Sequence, residues 1–221
     1  MVKVKSATIE ATEGTEFWSE YILRMLTEGI TSFLQNSPKN MKAKEPGIRG
    51  EKTTYDPEIE AEKVTYRRPD GTLGFPADAV RKCLIGGATG LKIGNRFAST
   101  VLPEVIGHFP PLEGDELFLF EDLDGQPISD YEIDTRRAVR GRQGVLVSRP
   151  KIWPWRLRCA LKLTVPVGTD IEAFRRDLLR IANKSGQYPG LGDARPQKIK
   201  GKGMWFGKWK VVEMDIEPLG V

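Results

Sequence analysis

An α+β fold is predicted by three neighbouring stretches in the C-terminal third of the chain. Residues 155–165 alternate Leu157, Cys159, Leu161, Leu163 and Val165 with Arg156, Arg158, Ala160, Lys162 and Thr164, the period of two expected of a strand with one buried and one basic face. Thr169-Asp-Ile-Glu172 reads as a capping box opening a helix with Ile171, Phe174, Leu178 and Ile181 inward, ended at Ser185-Gly186. Residues 209–216 (WKVVEMDI) then form a last strand. Strand, helix, loop, strand is half of a split β-α-β, ferredoxin-like unit. The expected architecture is one domain over residues 1–221, with an antiparallel sheet, helices on one face and large insertions at about 36–57 and 90–150.

Earlier elements follow in order. Residues 2–12 (VKVKSATIEAT) predict a strand, ended at Gly14. Residues 17–34 place Phe17, Tyr21, Ile22, Met25, Leu26, Ile30, Phe33 and Leu34 at near-helical spacing, so an amphipathic helix weakened at Gly29 is expected there, to supply with the first strand the other half of the core. Residues 36–55 are polar and rich in Lys, Pro and Gly, a long surface excursion. Residues 58–67 (EIEAEKVTYR) read as a strand closed by the turn Pro69-Asp70-Gly71. Pro76 suits the start of a helix over 77–88 with Val80, Cys83, Leu84 and Ala88 on one face. Residues 95–105 suggest a short strand or turn, and 117–120 and 145–148 short strands.

Composition narrows the function. A chain of 221 residues with 29% charged and 39% hydrophobic residues buries a sizeable core and is expected to be cytoplasmic, with no membrane partner. Cys83 and Cys159 stand apart among apolar neighbours and read as reduced core residues. The formal net charge of +4 hides two blocks. Residues 113–134 hold nine acids and no Lys or Arg, while 136–162 hold nine bases and no acid. Such blocks either pair with each other, within or between molecules, or present a polyanion-binding face beside an acidic one.

Little here supports catalysis. His108 is the only histidine, and no Cys/His metal spacing, nucleophile elbow or Walker lysine motif is present. No cofactor is expected. Asp193 is one candidate acid for metal-assisted nuclease chemistry, without a partner carboxylate in its motif.

Binding has more to draw on. Residues 190–211 combine five glycines, five lysines, Arg195 and the rings of Trp205, Phe206 and Trp209. Cations beside rings supply charge for phosphate and flat faces for bases, the needs of a single-stranded nucleic acid; a mobile loop with solvated lysines has the same composition. The expected phosphate contacts are Arg140, Arg142, Arg149, Arg156, Arg158, Arg195, Lys198, Lys200, Lys202 and Lys208, with bases stacked on Trp205 and Phe206. Trp153 and Trp155 cluster with these rings near the ends of neighbouring strands, and Trp209 reads as core.

Two segments carry a family resemblance. Phe75-Pro-Ala-Asp-Ala-Val-Arg-Lys-Cys-Leu resembles a segment of the RAMP superfamily, the repeat-associated RNA-binding proteins that form the backbone of CRISPR effector complexes. Gly190-Leu-Gly192, Gly201-Lys-Gly203 and Phe206-Gly-Lys-Trp209-Lys-Val are similar to that superfamily's glycine-rich loop and final strand, and also to the ending of a group of tailed-phage proteins. The resemblance covers roughly residues 74–88 and 155–212. It implies an RRM-related core gripping single-stranded DNA or RNA, often as a helical multimer. Gly190, Gly192, Gly201 and Gly203 would then approach the phosphate backbone, with Arg81 and Lys82 on a helix facing it. The glycine spacing is wider than the usual pattern, and the histidine of the processing nucleases has no counterpart. The expected function is therefore a non-catalytic single-strand binder, a homo-oligomer or filament along its strand, in phage replication or recombination or a CRISPR-like complex. The alternatives are a nuclease using Asp193 and a virion or protein-interaction component.

Overall fold

The computed structural model describes residues 17–38, 55–107, 116–140, 143–196 and 204–219, with the backbone alone at 139, 140 and 143. The strand expected over 2–12, most of the excursion over 36–55, and His108 lie outside the described residues.

The chain is a mixed α+β protein. Its strands are β1 (Trp18–Gly29), β2 (Phe33–Leu34), β3 (Gly74–Pro76), β4 (Lys92–Ile93), β5 (Arg96–Phe97), β6 (Leu117–Glu121), β7 (Glu132–Arg140), β8 (Gln143–Ile152), β9 (Arg156–Pro166) and β10 (Trp209–Pro218). Its helices are α1 (Pro57–Lys63), α2 (Ala77–Gly87), α3 (Ala98–Val105) and α4 (Ile171–Gln187). The main sheet runs β10-β1-β9-β6-β3, antiparallel at every neighbour. Both β1-to-β6 and β9-to-β10 connections therefore skip one strand, carrying α2 and α4 respectively. Leu23, Met25, Leu157, Cys159, Leu161, Leu163 and Val165 face these helices and are buried with Val80, Leu84, Phe174, Leu178 and Ile181. A second sheet, β2-β8-β7, is a long hairpin rooted on β2.

Two predicted elements change type. Residues 17–34 are not a helix but β1, a bend and β2, which continues along the β8–β9 chain in the same direction. The reason is burial on both faces of a central strand: Leu23 and Met25 face the helices, while Ile22 and Leu26, on the opposite face, are also buried. That breaks the clean alternation and mimics helical spacing. Residues 58–67 are not a strand; Asp56 caps α1, accepting from the Glu58 and Ile59 N–H groups, with Pro57 at the first turn. Residues 98–105 form α3, where a short strand or turn was expected. The insertion expected over 90–150 contains β6, a full member of the main sheet between β9 and β3. Helix α4 is capped by Asp170, which accepts from Ala173 N–H, rather than by Thr169, whose hydroxyl donates to Pro166 O.

The two crossover helices touch through small residues. A Cβ at Gly87 would lie 2.0 Å from Ser185 Oγ, and one at Gly186 would lie 2.0 Å from the Trp209 carbonyl oxygen. Helix α4 thus sits directly on α2 on one side and on the start of β10 on the other. Two effects oppose each other in Gly186→Ala: helix propensity favours Ala by about 1 kcal/mol, while overpacking costs about 1–3 kcal/mol. Because the clash is with backbone, which has little room to yield, the steric term is expected to win. The urea midpoint should fall; a midpoint at or above wild type would show that the α4–β10 contact is not this tight.

Candidate nucleic-acid interface

The sheet face opposite the helices carries Arg156, Arg158 and Lys162, as the alternation of β9 requires, but they do not form an unopposed basic surface. Arg156 is bound to Glu28 at 2.8 Å, Arg158 to Glu121 at 2.7 Å, Lys162 to Glu20 at 2.6 Å, and Arg24 to Glu217 at 2.9 Å. Lys210 also reaches Glu28, at 3.1 Å. The hydrogen bond from Arg156, then that from Lys210, hold the Glu28 carboxyl below its ordinary value of 4.5. The Glu121 carboxylate in turn raises the Arg158 guanidinium. None of the rings expected to stack bases lies on this face: Trp155 and Trp209 are fully buried, and Trp153 and Trp205 stand in connecting segments. A face of alternating ion pairs, with the exposed Trp18 only at its end where β1 begins, is poorly suited to a polyanion.

The rings and the remaining cations converge elsewhere, where the segment 190–208 meets the hairpin. Leu191 N–H donates to Gly207 O, Gly207 N–H to Ser32 O, and Asp193 N–H to Leu34 O. The Thr31 hydroxyl donates to Trp205 O and accepts from Lys208 N–H. These bonds fasten residues 191–193 and 205–208 to the bend between β1 and β2. Gly207 has φ +65 and no room for a side chain, since a Cβ would lie 1.8 Å from Leu191 O; one at Gly192 (φ +76) would lie 2.6 Å from Leu34 O. Gly190 is buried as well. The close approaches at Gly190 and Gly192 are thus to the protein's own backbone and to Pro196, not to a ligand. Gly201, Gly203, Lys198, Lys200 and Lys202 lie outside the described residues.

Antiparallel pairing of β7 with β8 sets Glu132 opposite Lys151 and Asp134 opposite Arg149, so the acidic and basic blocks meet within one molecule. Lys151 binds Glu132 at 2.7 Å, and Arg136 makes a bidentate contact to Asp134 at 2.6 and 2.8 Å. Arg136 also lies over the Phe206 ring, 4.5 Å from its centroid. Phe206 is only 3% exposed and so does not offer a stacking face; it is the floor under Arg136. Its neighbour Trp205, 6.0 Å away between centroids, is 64% exposed. Carboxylate, guanidinium, buried ring and open indole therefore follow one another at the root of the hairpin. Arg140 has its backbone at the far end of β7, and Arg142 lies outside the described residues.

Other expected contacts divide. Arg81 is 7% exposed, and its Nε–H donates to Ile106 O, so it holds α3 against α2 rather than facing a ligand. Lys82 is exposed and paired with Asp78 one helical turn away, at 2.5 Å. Lys208 is half-buried beside Thr31, and Arg195 is half-buried with its carbonyl accepting from Met204 N–H. The positive charge of Arg195 acts on Cys83, whose thiol burial pushes up to about 12. Trp153, between β8 and β9, is exposed.

Asp193 is engaged on both oxygens. Oδ2 lies 2.5 Å from Arg149 Nε and accepts from the Asn36 amide at 3.2 Å, while Oδ1 accepts from Ala194 N–H. Among the described residues no cluster of three His, Cys, Asp or Glu side chains is arranged to hold a metal ion. Nor does any helix among them have the length and apolarity to cross a membrane. Comparison with models of known protein families finds none that matches the chain, and no curated protein matches it either.

Two outcomes test this geometry. Asp193→Ala strips Arg149 of its carboxylate in a partly buried position and is expected to lower stability by about 1–3 kcal/mol; an unchanged urea midpoint would overturn the structural role of the pair. Glu28, with its carboxyl held low, contributes stability that is fully present above pH 4.5 and lost as the pH falls below it. The acid limb of the stability curve, followed by tryptophan fluorescence, should be shallower in Glu28→Gln.

Proposed function

We propose that the chain is a non-catalytic single-stranded nucleic-acid-binding protein whose strand runs over the root of the β7–β8 hairpin and the segment 190–208. The observation that carries this reading is the exposed indole of Trp205 next to Phe206, on whose ring Arg136 is seated. An isolated ring of this size left open on a segment fixed by main-chain hydrogen bonds suits stacking by a base, and the adjacent cation suits its phosphate. Pairing within the hairpin consumes Lys151 and much of Arg136, so the ring, more than bulk charge, is the anchor.

The reading takes the core as ferredoxin-like and RRM-related. In its favour, β1, α2, β6, β9, α4 and β10 succeed one another as β-α-β-β-α-β, each crossover passing one intervening strand. Kinship with the RAMP superfamily, a role in phage replication or recombination or in a CRISPR-like complex, a cytoplasmic location and assembly along the strand belong to the same proposal. Because the two charge blocks pair largely inside one molecule, assembly rests on the resemblance and not on those blocks.

Fluorescence anisotropy with labelled single strands across salt concentrations tests the proposal. The logarithm of the affinity should fall with log salt by about 0.7 per phosphate neutralised, and Trp205→Ala should weaken binding by about 1–3 kcal/mol while Trp205→Phe keeps most of it. Absent binding at low salt, or full affinity in Trp205→Ala, would sink it.

A further inference from the structure

A second surface in the helix layer has the same chemistry and is absent from the reading above. Arg176, Arg180 and Lys184 are all exposed on α4 at i, i+4 and i+8, a stripe of three like charges. Each such pair costs a helix about 0.2–0.5 kcal/mol. Asp177 offsets part of this by binding Arg180 at 3.1 Å, but Arg176 and Lys184 have no ion pair among the described residues. Lys184 stands in the last turn, where a cation is favoured, so the cost falls on the Arg176–Arg180 pair. Beside it stands the β4–β5 hairpin, whose turn is tied to α4: Gly94 N–H donates to Asp177 Oδ2 at 3.0 Å, and Arg180 donates to Lys92 O at 3.3 Å. Lys184 Nζ donates to Thr89 O just ahead of the hairpin. This fixed hairpin holds out Phe97, 61% exposed, with the Lys92 ammonium 5.7 Å from its ring centroid.

We propose that this surface, Phe97 with Lys92 on the hairpin and Arg176, Arg180 and Lys184 on α4, is a second contact for the same single strand. The inference rests on the reading given under Proposed function and extends it to a second subsite. An exposed ring with a cation at its side meets a base and a phosphate together, whereas a solvated face of charged residues has no need of the ring. The cations recur about 6 Å apart along the helix axis, a spacing at which each can meet a different phosphate of one strand. Helix α4 ends at Gln187, directly before the segment 190–208, so it runs toward the first contact.

The test compares labelled oligothymidylates of about six and about twenty nucleotides, within and beyond the span of one small site. On the longer strand, Phe97→Ala should bind about five- to a hundredfold more weakly, and Arg176→Ala/Lys184→Ala should shallow the salt slope by about 1.4, two phosphates at 0.7 each. On the shorter strand both variants should match wild type, while Trp205→Ala should lose affinity for both lengths. All altered side chains are exposed, and thermal midpoints equal to wild type will verify folding. Variants that match wild type on the long strand in affinity and slope overturn the second contact and leave the Trp205 reading standing. A wild-type chain that binds neither strand overturns both.

Discussion

The contact between Trp155 and Gly29 sets the geometry of the bend against which Trp205 and its neighbours are held. The indole is fully buried, and a Cβ at Gly29 would lie 2.3 Å from its Nε1. The main chain closes the same contact, Gly29 N–H donating to Trp155 O at 2.9 Å, and the indole N–H donates to Thr31 O at 2.9 Å. Phe33 and Phe120 pack edge-on against the ring at 5.3 and 5.8 Å. The chain leaving β1 is thus wrapped around one tryptophan. The carbonyls of Ser32 and Leu34 and the hydroxyl of Thr31 then become the line to which Asp193, Trp205, Gly207 and Lys208 are fastened. Without a glycine at position 29 the chain between β1 and β2 could not close on the ring, and residues 191–193 and 205–208 would lose their seat.

Charge behaves differently from what composition suggests. The basic block lies opposite carboxylates because antiparallel pairing reverses one block against the other: Glu132 meets Lys151 in the hairpin, and Glu28 and Glu121 meet Arg156 and Arg158 across the main sheet. Each exposed pair contributes no more than about 1 kcal/mol, so they are no great source of stability. What they do is neutralise a face and cover Ile22 and Leu26, which lie beneath them on that side of β1. A net charge of +4 is consequently a poor guide to where a polyanion would lie.

Much of the core was legible. The strict alternation of β9, the apolar stripe of α4 and the Pro76 start of α2 each record burial on one face, where pattern and structure agree. Residues 17–34 misled because a central strand with both faces covered loses its period, and residues 56–58 held a plain helix start, Asp-Pro-Glu, outweighed by the β-branched and aromatic residues after it. At the site, the exposure of Trp205 agreed with its lysine-rich surroundings, but the burial of Phe206 depends on Arg136, which no local pattern brings near. The same holds for Arg81, whose charge read as ligand-facing while its partner is the carbonyl of Ile106. Pairing between distant segments leaves no periodic trace in a single sequence.

Two exposed rings separate this surface from an ordinary charged one. Trp205 and Phe97 stand on different layers, yet each segment is tied by hydrogen bonds to its neighbours; Lys92 lies by the Phe97 ring itself, while Arg136 lies over Phe206, the neighbour of Trp205. Leaving a large ring in water forgoes roughly 1.5–3 kcal/mol of burial, more than a solvated lysine gives up by standing free. A protein that can bury Trp155 and Trp209 completely is not short of room in its core. Phe17, Trp18, Trp153 and Tyr188 are exposed as well, so exposure alone assigns no ligand. Under the proposed function, a strand of bases would cover Trp205 and Phe97 with a flat face and bring its phosphates to the nearby cations.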